Sequence, residues 1–147
     1  MYYPGVKYIS DKEALLAIII YDTLNEEGVH FLTDHHLSQQ LAYMKHPSGK
    51  VIKPHFHNPV PRNVQFTQEV LFIKKGKLRV DFYSSNQEYI ESYILKEGNV
   101  ILLIGGGHGF EVIEDIEMFE VKQGPYAGDR DKTLFEPCPN ERIVMKS

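Results

Sequence analysis

Apolar and polar residues alternate along this chain in short segments separated by turn residues, a pattern typical of β-strands. No segment beyond residue 30 sustains the 3.6-residue period of an amphipathic helix, so helix is expected to be a minor part at most. The predicted strands are residues 15–20, 29–32, 40–45, 51–57, 69–74, 77–83, 89–95, 99–104, 108–113 and 118–121. The pattern therefore predicts an all-β protein, either a sandwich or a barrel.

The clearest turn in this series falls at Lys75 and Gly76. β-Branched, aromatic and apolar residues flank both positions, and glycine readily adopts the left-handed conformation that a tight turn requires. Residues 69–74 and 77–83 are therefore predicted to form a hairpin. From Gly124 onward, prolines, glycines and charged residues crowd the sequence, which predicts an irregular C-terminal tail that packs on the barrel or on a partner.

Composition narrows the class of protein further. The 147 residues suit one domain spanning residues 1–147, and 42% hydrophobic with 24% charged residues is close to the globular average. The net charge of -4 comes without a basic stripe, so nucleic acid is not an expected partner. The apolar run 14–20 is too short to span a membrane. The single cysteine, Cys138, agrees with a cytoplasmic protein that lacks disulfides.

His55 and His57 are the first residues that indicate chemistry. In an extended segment the two imidazoles lie on the same face, because side chains alternate with a period of two. Imidazole nitrogens bind first-row divalent metal ions, and further ligands from neighbouring strands complete such a site. An isolated H-x-H motif is more often a pair of polar loop residues, so its surroundings decide the interpretation.

Those surroundings resemble the cupin superfamily, whose first motif reads G-x5-H-x-H followed by E-x6-G, and whose second reads G-x5-P-x-G-x2-H-x3-N. The first motif is matched by Gly49, His55, His57, Glu69 and Gly76. The second is partly matched by Gly98, Gly106 and His108. The chain departs from the pattern in several places. Eleven residues, 58–68, separate His57 from Glu69 where three or four are usual. In the second motif, Ile104 replaces the proline, His108 comes one residue early and Val112 stands in place of the asparagine.

The resemblance implies an antiparallel double-stranded β-helix, the jelly-roll barrel of cupins, with a core at about residues 38–123. An N-terminal extension precedes this core, the irregular tail follows it, and a homodimer is expected. The resemblance also implies one divalent transition metal ion, with Fe, Mn, Ni, Zn and Co not distinguished. Its implied ligands are His55, His57, Glu69 and His108. Gln65, Gln68 and Glu111 are alternatives for the position of Glu69.

Candidate substrate-binding residues lie mainly in the insertion 58–68. Arg62 suits a carboxylate or phosphate, and Gln65 and Gln68 suit hydroxyl groups. A solvated role is at least as good an interpretation of Arg62, because exposed loop charges commonly have no partner. Tyr126 is a further candidate from the tail. The candidates for a catalytic role are Glu69, Glu111 and Tyr83.

Two classes of function remain open at this point. Three imidazoles and one carboxylate would leave a metal ion with open positions, as catalysis on a small polar substrate requires. The reaction would be that of an isomerase, epimerase, lyase or dioxygenase, and a sugar derivative is one possible substrate, because fold and metal together do not select a reaction. The alternative is a non-catalytic module that binds or senses a small ligand.

Overall fold

The computed structural model describes residues 3–147, which form two compact units. One unit comprises residues 3–24 together with 67–147, and the other comprises residues 25–66. The larger unit carries most of the strands and the hydrophobic core. The sequence-based assignment of a single domain stays a prediction.

Nine strands and two short 3-10 helices make up the regular structure of the described residues. The strands are β1 (Val6–Asp11), β2 (Ala14–Ile20), β3 (Gly28–Phe31), β4 (Ala42–Lys45), β5 (Glu69–Tyr83), β6 (Tyr89–Lys96), β7 (Val100–Leu103), β8 (Gly107–Lys122) and β9 (Met145–Lys146). The 3-10 helices span Gly128–Asp131 and Asn140–Arg142. The all-β prediction is confirmed. Within residues 3–147, neither helical turn has the length or apolar character needed to cross a bilayer.

The predicted strand at residues 51–57 is wrong. Residues 46–68 contain no strand, and β3 and β4 pair with each other as the small sheet of the unit 25–66. Residues 51–57 pair with no other strand of the described chain, and the flanking prolines at positions 47, 59 and 61 lack the N–H that a longer strand would donate. Alternating hydrophobicity alone shows neither feature.

The predicted hairpin at residues 69–83 is also wrong, because this segment is one continuous strand, β5. Gly76 has the expected left-handed backbone, with φ +92°, but it bends the strand rather than reversing it. The register between β5 and β8 shifts here, where Lys75 pairs with Glu117 and Lys77 pairs with Glu114. The same irregularity falls within β8, which runs without interruption where two strands were predicted.

The large sheet has the order β1-β2-β7-β5-β6-β9, and β8 pairs with β5 outside this path. The first part of β5 pairs with β7 and the second part with β6, while β8 follows β5 along nearly its whole length. A single hydrophobic core takes buried side chains from both parts of β5, such as Leu71 and Val80, and from β7, such as Ile101. The sheet therefore curls around a shared core, which is the coarse barrel character that the sequence predicts.

The tail packs on the outer face of β5 and β6. The Tyr83 hydroxyl accepts a hydrogen bond from the Cys138 amide at 2.9 Å, and the rings of Tyr83 and Phe135 meet edge to face. The Val144 amide donates to the Tyr89 hydroxyl at 2.9 Å. β9 then pairs in parallel with β6. The tail is mostly irregular, as expected, and it packs on this chain's own sheet.

Candidate functional site

Two of the residues proposed as metal ligands meet in the larger unit. The Nε2 atom of His108 lies 3.9 Å from the Oε2 atom of Glu69. Glu69 is the first residue of β5, whereas His108 pairs with Phe82 near the other end of that strand. Phe82 lies thirteen positions after Glu69 in β5, so the bend in the β5–β8 ribbon is what brings the Glu69 and His108 side chains together.

Strand register places both side chains on the face of the sheet that lines the core. Leu71 and Phe82 are core residues. Glu69 shares a face with Leu71 because they are two residues apart, and His108 shares a face with its direct partner Phe82. The imidazole also lies against the Phe110 ring, with centroids 5.3 Å apart. The pair thus occupies the inner side of the curled sheet, partly shielded from water.

The carboxyl of Glu69 is in an unusual electrostatic environment. Burial raises its pKa, and a hydrogen bond with Glu120 together with the negative charge of that residue raises it further, while Lys122 and Lys132 oppose the shift. A hydrogen bond between two carboxyl groups requires one proton between them. A divalent cation can replace that proton as the charge that holds the two groups together.

The pKa of the His108 imidazole is shifted in the direction that favours metal binding. Burial lowers the pKa of its imidazole, Lys132 lowers it too, and Glu120 partly opposes the shift. A lowered pKa favours the neutral ring at neutral pH. The neutral ring is the form that offers a nitrogen lone pair to a metal ion.

The geometry of the pair is compatible with a shared metal ion. Two ligand atoms bonded at about 2.1 Å to one ion lie about 3.0–3.4 Å apart in octahedral or tetrahedral geometry. The observed 3.9 Å is therefore about 0.5–0.9 Å too long. Both groups are side-chain termini, so small χ rotations suffice to close this difference. Imidazole and carboxylate are also the donor types that divalent transition metals take.

His55 and His57 lie in the other unit. Their rings contact each other edge to face with centroids 5.2 Å apart, and the Nδ1 atom of His55 is 2.9 Å from the Lys53 carbonyl oxygen. Both side chains are exposed. Among residues 3–147, no three His, Cys, Asp or Glu side chains are grouped closely enough to hold a metal ion. The four-ligand set stays a prediction.

Two catalytic candidates, Tyr83 and Glu111, lie on the opposite face of the large sheet from His108. Glu111 pairs with Arg79 in the ladder, and its carboxylate lies 2.6 Å from the Arg79 guanidinium. Tyr83 is buried beneath the tail, where burial raises the pKa of its hydroxyl. Both line a pocket of about 420 Å³ together with Asn140 and Cys138. Strand register therefore places Tyr83 and Glu111 on the outer face of the large sheet, whereas Glu69 lies on the inner face.

The substrate-binding candidates have diverse surroundings. The Arg62 guanidinium is exposed, and its nearest acceptor is the Val60 carbonyl oxygen at 3.4 Å. Gln65 and Tyr126 are exposed as well, whereas the Gln68 side chain is buried. Their roles in binding a substrate stay predictions.

Sequence reasoning missed Glu120 as a neighbour of Glu69. The ladder pairs Leu71 with Glu120 and Glu69 with Lys122, which places both β8 side chains on the inner face. Counting along the sequence could not have located Glu120, because the register shifts at residues 75–77 and at the opposite residues of β8. The β5–β8 register itself is the missing signal.

A buried ionic network was also missed. Arg79 donates two hydrogen bonds to Asp81, at 2.8 and 3.0 Å, and Ser92 donates to the same carboxylate at 2.5 Å. The guanidinium also donates to Asn140 in the tail at 3.3 Å. This network fixes the tail to the outer face. In sequence, Arg79 and Asp81 are ordinary alternating strand residues with no distinguishing motif.

Comparison with known proteins adds no relative. No protein-family model, curated protein or solved structure matches the chain.

Proposed function

We propose that this chain is a metal-dependent protein of the cupin type, which holds one divalent transition metal ion with His55, His57, Glu69 and His108. The observation that supports the proposal most directly is the 3.9 Å approach of His108 Nε2 to Glu69 Oε2 on the inner side of a curled sheet. The double-stranded β-helix expected for cupins is part of the same proposal. So are a homodimeric state and a cytoplasmic location.

The donor set suits a catalytic rather than a purely structural ion. Three neutral imidazoles and one carboxylate occupy four positions, which leaves an octahedral ion with positions for substrate or water. When bound, the ion would polarise a carbonyl or hydroxyl oxygen, or support dioxygen chemistry if it is iron. We therefore propose an enzyme that acts on a small polar organic molecule, with a sugar derivative as one candidate substrate.

The chain's own residues suit proton transfer at such a site. Burial and the neighbouring Glu120 raise the pKa of Glu69, and a raised pKa suits this carboxyl to acid–base catalysis. His108 lies within 3.9 Å of that carboxyl. Glu120 would then hold the Glu69 side chain in place. Glu111, the other acidic catalytic candidate, would transfer protons on the opposite face of the large sheet.

Metal content tests the first part of the proposal. Protein purified without added metal is exposed in turn to Fe²⁺, Mn²⁺, Co²⁺, Ni²⁺ and Zn²⁺, dialysed, and subjected to elemental analysis. About one equivalent per chain is expected for at least one ion. No bound metal under any loading condition would refute the site.

Turnover tests the second part. Dioxygen uptake with the iron-loaded protein and a panel of hydroxylated and carboxylated compounds would indicate a dioxygenase. Product formation under nitrogen would indicate an isomerase, epimerase or lyase. Binding without turnover across the panel would instead identify a module that binds or senses a small ligand.

A further inference from the structure

The strand β8 has an edge without a partner in the single chain. Its other edge is hydrogen-bonded to β5, and among residues 3–147 no other strand pairs with it. Large apolar side chains along β8 are nevertheless exposed: Phe110, Val112, Ile113, Met118, Phe119 and Val121. A long apolar edge strand left open promotes aggregation, so native proteins usually cover or pair it.

The segment of residues 50–57 is exposed in the same way. Val51 is 77% exposed and Phe56 is 83% exposed, and the whole segment lies in an irregular region of the unit 25–66. Exposed apolar residues at this density indicate a surface that is covered by another molecule. The single chain therefore presents two exposed apolar elements.

Charge complementarity connects these two elements. Residues 46–66 contain Lys50, Lys53 and Arg62 and no acidic residue. β8 carries five acidic residues: Glu111, Glu114, Asp115, Glu117 and Glu120. Pairing of β8 with a second β8 would oppose like charges, whereas pairing with residues 50–57 opposes unlike ones.

Two of the acidic side chains of β8, Glu114 and Glu117, already form ion pairs with lysines of β5, but these pairs are weak enough for other lysines to replace them. Lys77 lies 3.1 Å from Glu114, and Lys74 lies 3.8 Å from Glu117. All four side chains are about half exposed, and such surface pairs contribute less than about 1 kcal/mol. Incoming lysines can therefore compete for the same carboxylates.

The positions of the prolines are compatible with an added strand at residues 50–57. Pro54 is the single proline in this stretch. In a strand, alternate residues direct their N–H groups to opposite edges, so Pro54 is tolerated if Ile52, Pro54 and Phe56 point their N–H groups away from β8. Lys53, His55 and His57 then make the hydrogen bonds to β8, and their side chains lie together on one face.

We propose that residues 50–57 of a second copy of this chain add as a strand to the open edge of β8, and that the exchange is reciprocal. The closed, two-fold dimer that results covers both apolar elements in each copy. One consequence rests on the proposed function. Each metal centre then takes His55 and His57 from one copy and Glu69 and His108 from the other.

A charge exchange tests the pairing without using metal. One variant carries K50E and K53E, and the other carries D115K and E117K. In buffer with chelator, light scattering is expected to give twice the 17.0 kDa chain mass for wild type and a monomer for each variant alone. Mixing the two variants is expected to restore the dimer, because acidic segments then meet basic edges and wild-type segments meet wild-type edges. K12E, on an exposed lysine elsewhere, is the matched control and is expected to stay dimeric.

Three results would overturn the exchange. The first is a wild-type protein that is monomeric throughout the micromolar range. The second is a dimer that persists in both charge variants. The third is a dimer that returns only when all four substitutions are in one chain. The last result would place the contact within a single copy. Circular dichroism and thermal unfolding of each variant exclude misfolding as the cause of a lost dimer.

Complementation tests the shared centre separately. A chain with H55A and H57A is mixed with a chain carrying E69Q and H108A, and bound Co²⁺ is measured by its absorption spectrum. One intact centre forms per mixed dimer, and random exchange makes about half of the dimers mixed, so about a quarter of the wild-type metal content is expected. Wild-type metal binding without complementation would refute the shared centre and leave the proposed function standing. No metal binding by wild type would refute the proposed function and leave the charge exchange to decide the dimer.

Discussion

Glu69 and His108 lie 3.9 Å apart at Oε2 and Nε2, although His108 pairs with Phe82 and Glu69 begins the same β5 strand thirteen residues earlier. A straight strand of thirteen residues is about 43 Å long. The pair can meet only because β5 and β8 bend together. The bend lies at residues 74–77, where the ladder shifts register and Gly76 adopts a positive φ.

Substitution of Gly76 tests this bend. A Cβ at position 76 would overlap the Asp115 carbonyl oxygen and adopt an unfavourable backbone conformation, φ +92°. We expect G76A to lower the free energy of unfolding by about 2–4 kcal/mol, since it adds a backbone clash to the strain of about 1 kcal/mol. Urea unfolding measures the change.

G49A is the matched control for G76A. Gly49 has a similar φ of +88°, but its Cβ would meet nothing within 4 Å. Only the backbone strain of about 1 kcal/mol is therefore expected. Equal losses for G49A and G76A would show that the β5–β8 bend does not depend on close contact at residue 76.

The buried ion pair of Arg79 and Asp81 supports a second prediction. Its side chains are 11% and 5% exposed. We expect R79M to destabilise the protein by about 3–5 kcal/mol, because it leaves the Asp81 carboxylate buried without its cation. K74M removes the exposed pair with Glu117 and should change stability by less than about 1 kcal/mol. Comparable effects of the two substitutions in thermal unfolding would contradict this account.

Tyr83 supports a third prediction, which concerns the tail. Y83F removes the hydroxyl that accepts the Cys138 amide hydrogen bond but keeps the ring against Phe135. We expect a loss of about 1–2 kcal/mol, because the buried amide is left without a partner. Hydrogen exchange should become faster at residue 138 and remain unchanged in β2. Unchanged exchange at residue 138 would show that this bond does not hold the tail.

Tyr93 supports a prediction at alkaline pH. Its ring is buried in the core and its hydroxyl donates to Glu91, and burial followed by the charge of Glu91 raises its pKa above the usual 10. The folded protein therefore retains a proton that the unfolded chain releases above pH 10, so stability falls as pH rises from about 10. Y93F should flatten this slope between pH 9.5 and 11. Y126F, at an exposed position, should leave the slope as it is in wild type.

The sequence predicts the strands of this fold better than their connections. Apolar alternation located β2, β6 and β7 almost to the residue. The sequence around Gly76 predicts a hairpin turn, because a tight turn and a bent strand have similar local sequences. The difference lies in the pairing with Glu117 and Glu114, which are about forty residues away along the chain.

The candidate site shows the same limit. Its motif resemblance named Glu69 and His108, and the structure brings the two side chains together. Glu120 was missed, because its place beside Glu69 depends on the ladder pairing of Leu71 with Glu120 rather than on a motif. For His55, alternation predicts a strand, but residues 51–57 have no partner strand among the described residues, and sequence alternation does not reveal whether a partner is present.

Metal affinity of single-ligand variants tests the central claim most directly. Co²⁺ binding is measured by competition with a chelator for wild type, H55A, H57A, E69Q and H108A, with H35A as the control on an exposed histidine. The account predicts about one equivalent in wild type, a loss of affinity of at least about tenfold, or 1.4 kcal/mol, in each of the four ligand variants, and wild-type affinity in H35A. No binding by wild type, or an equal loss in all five variants, would contradict it.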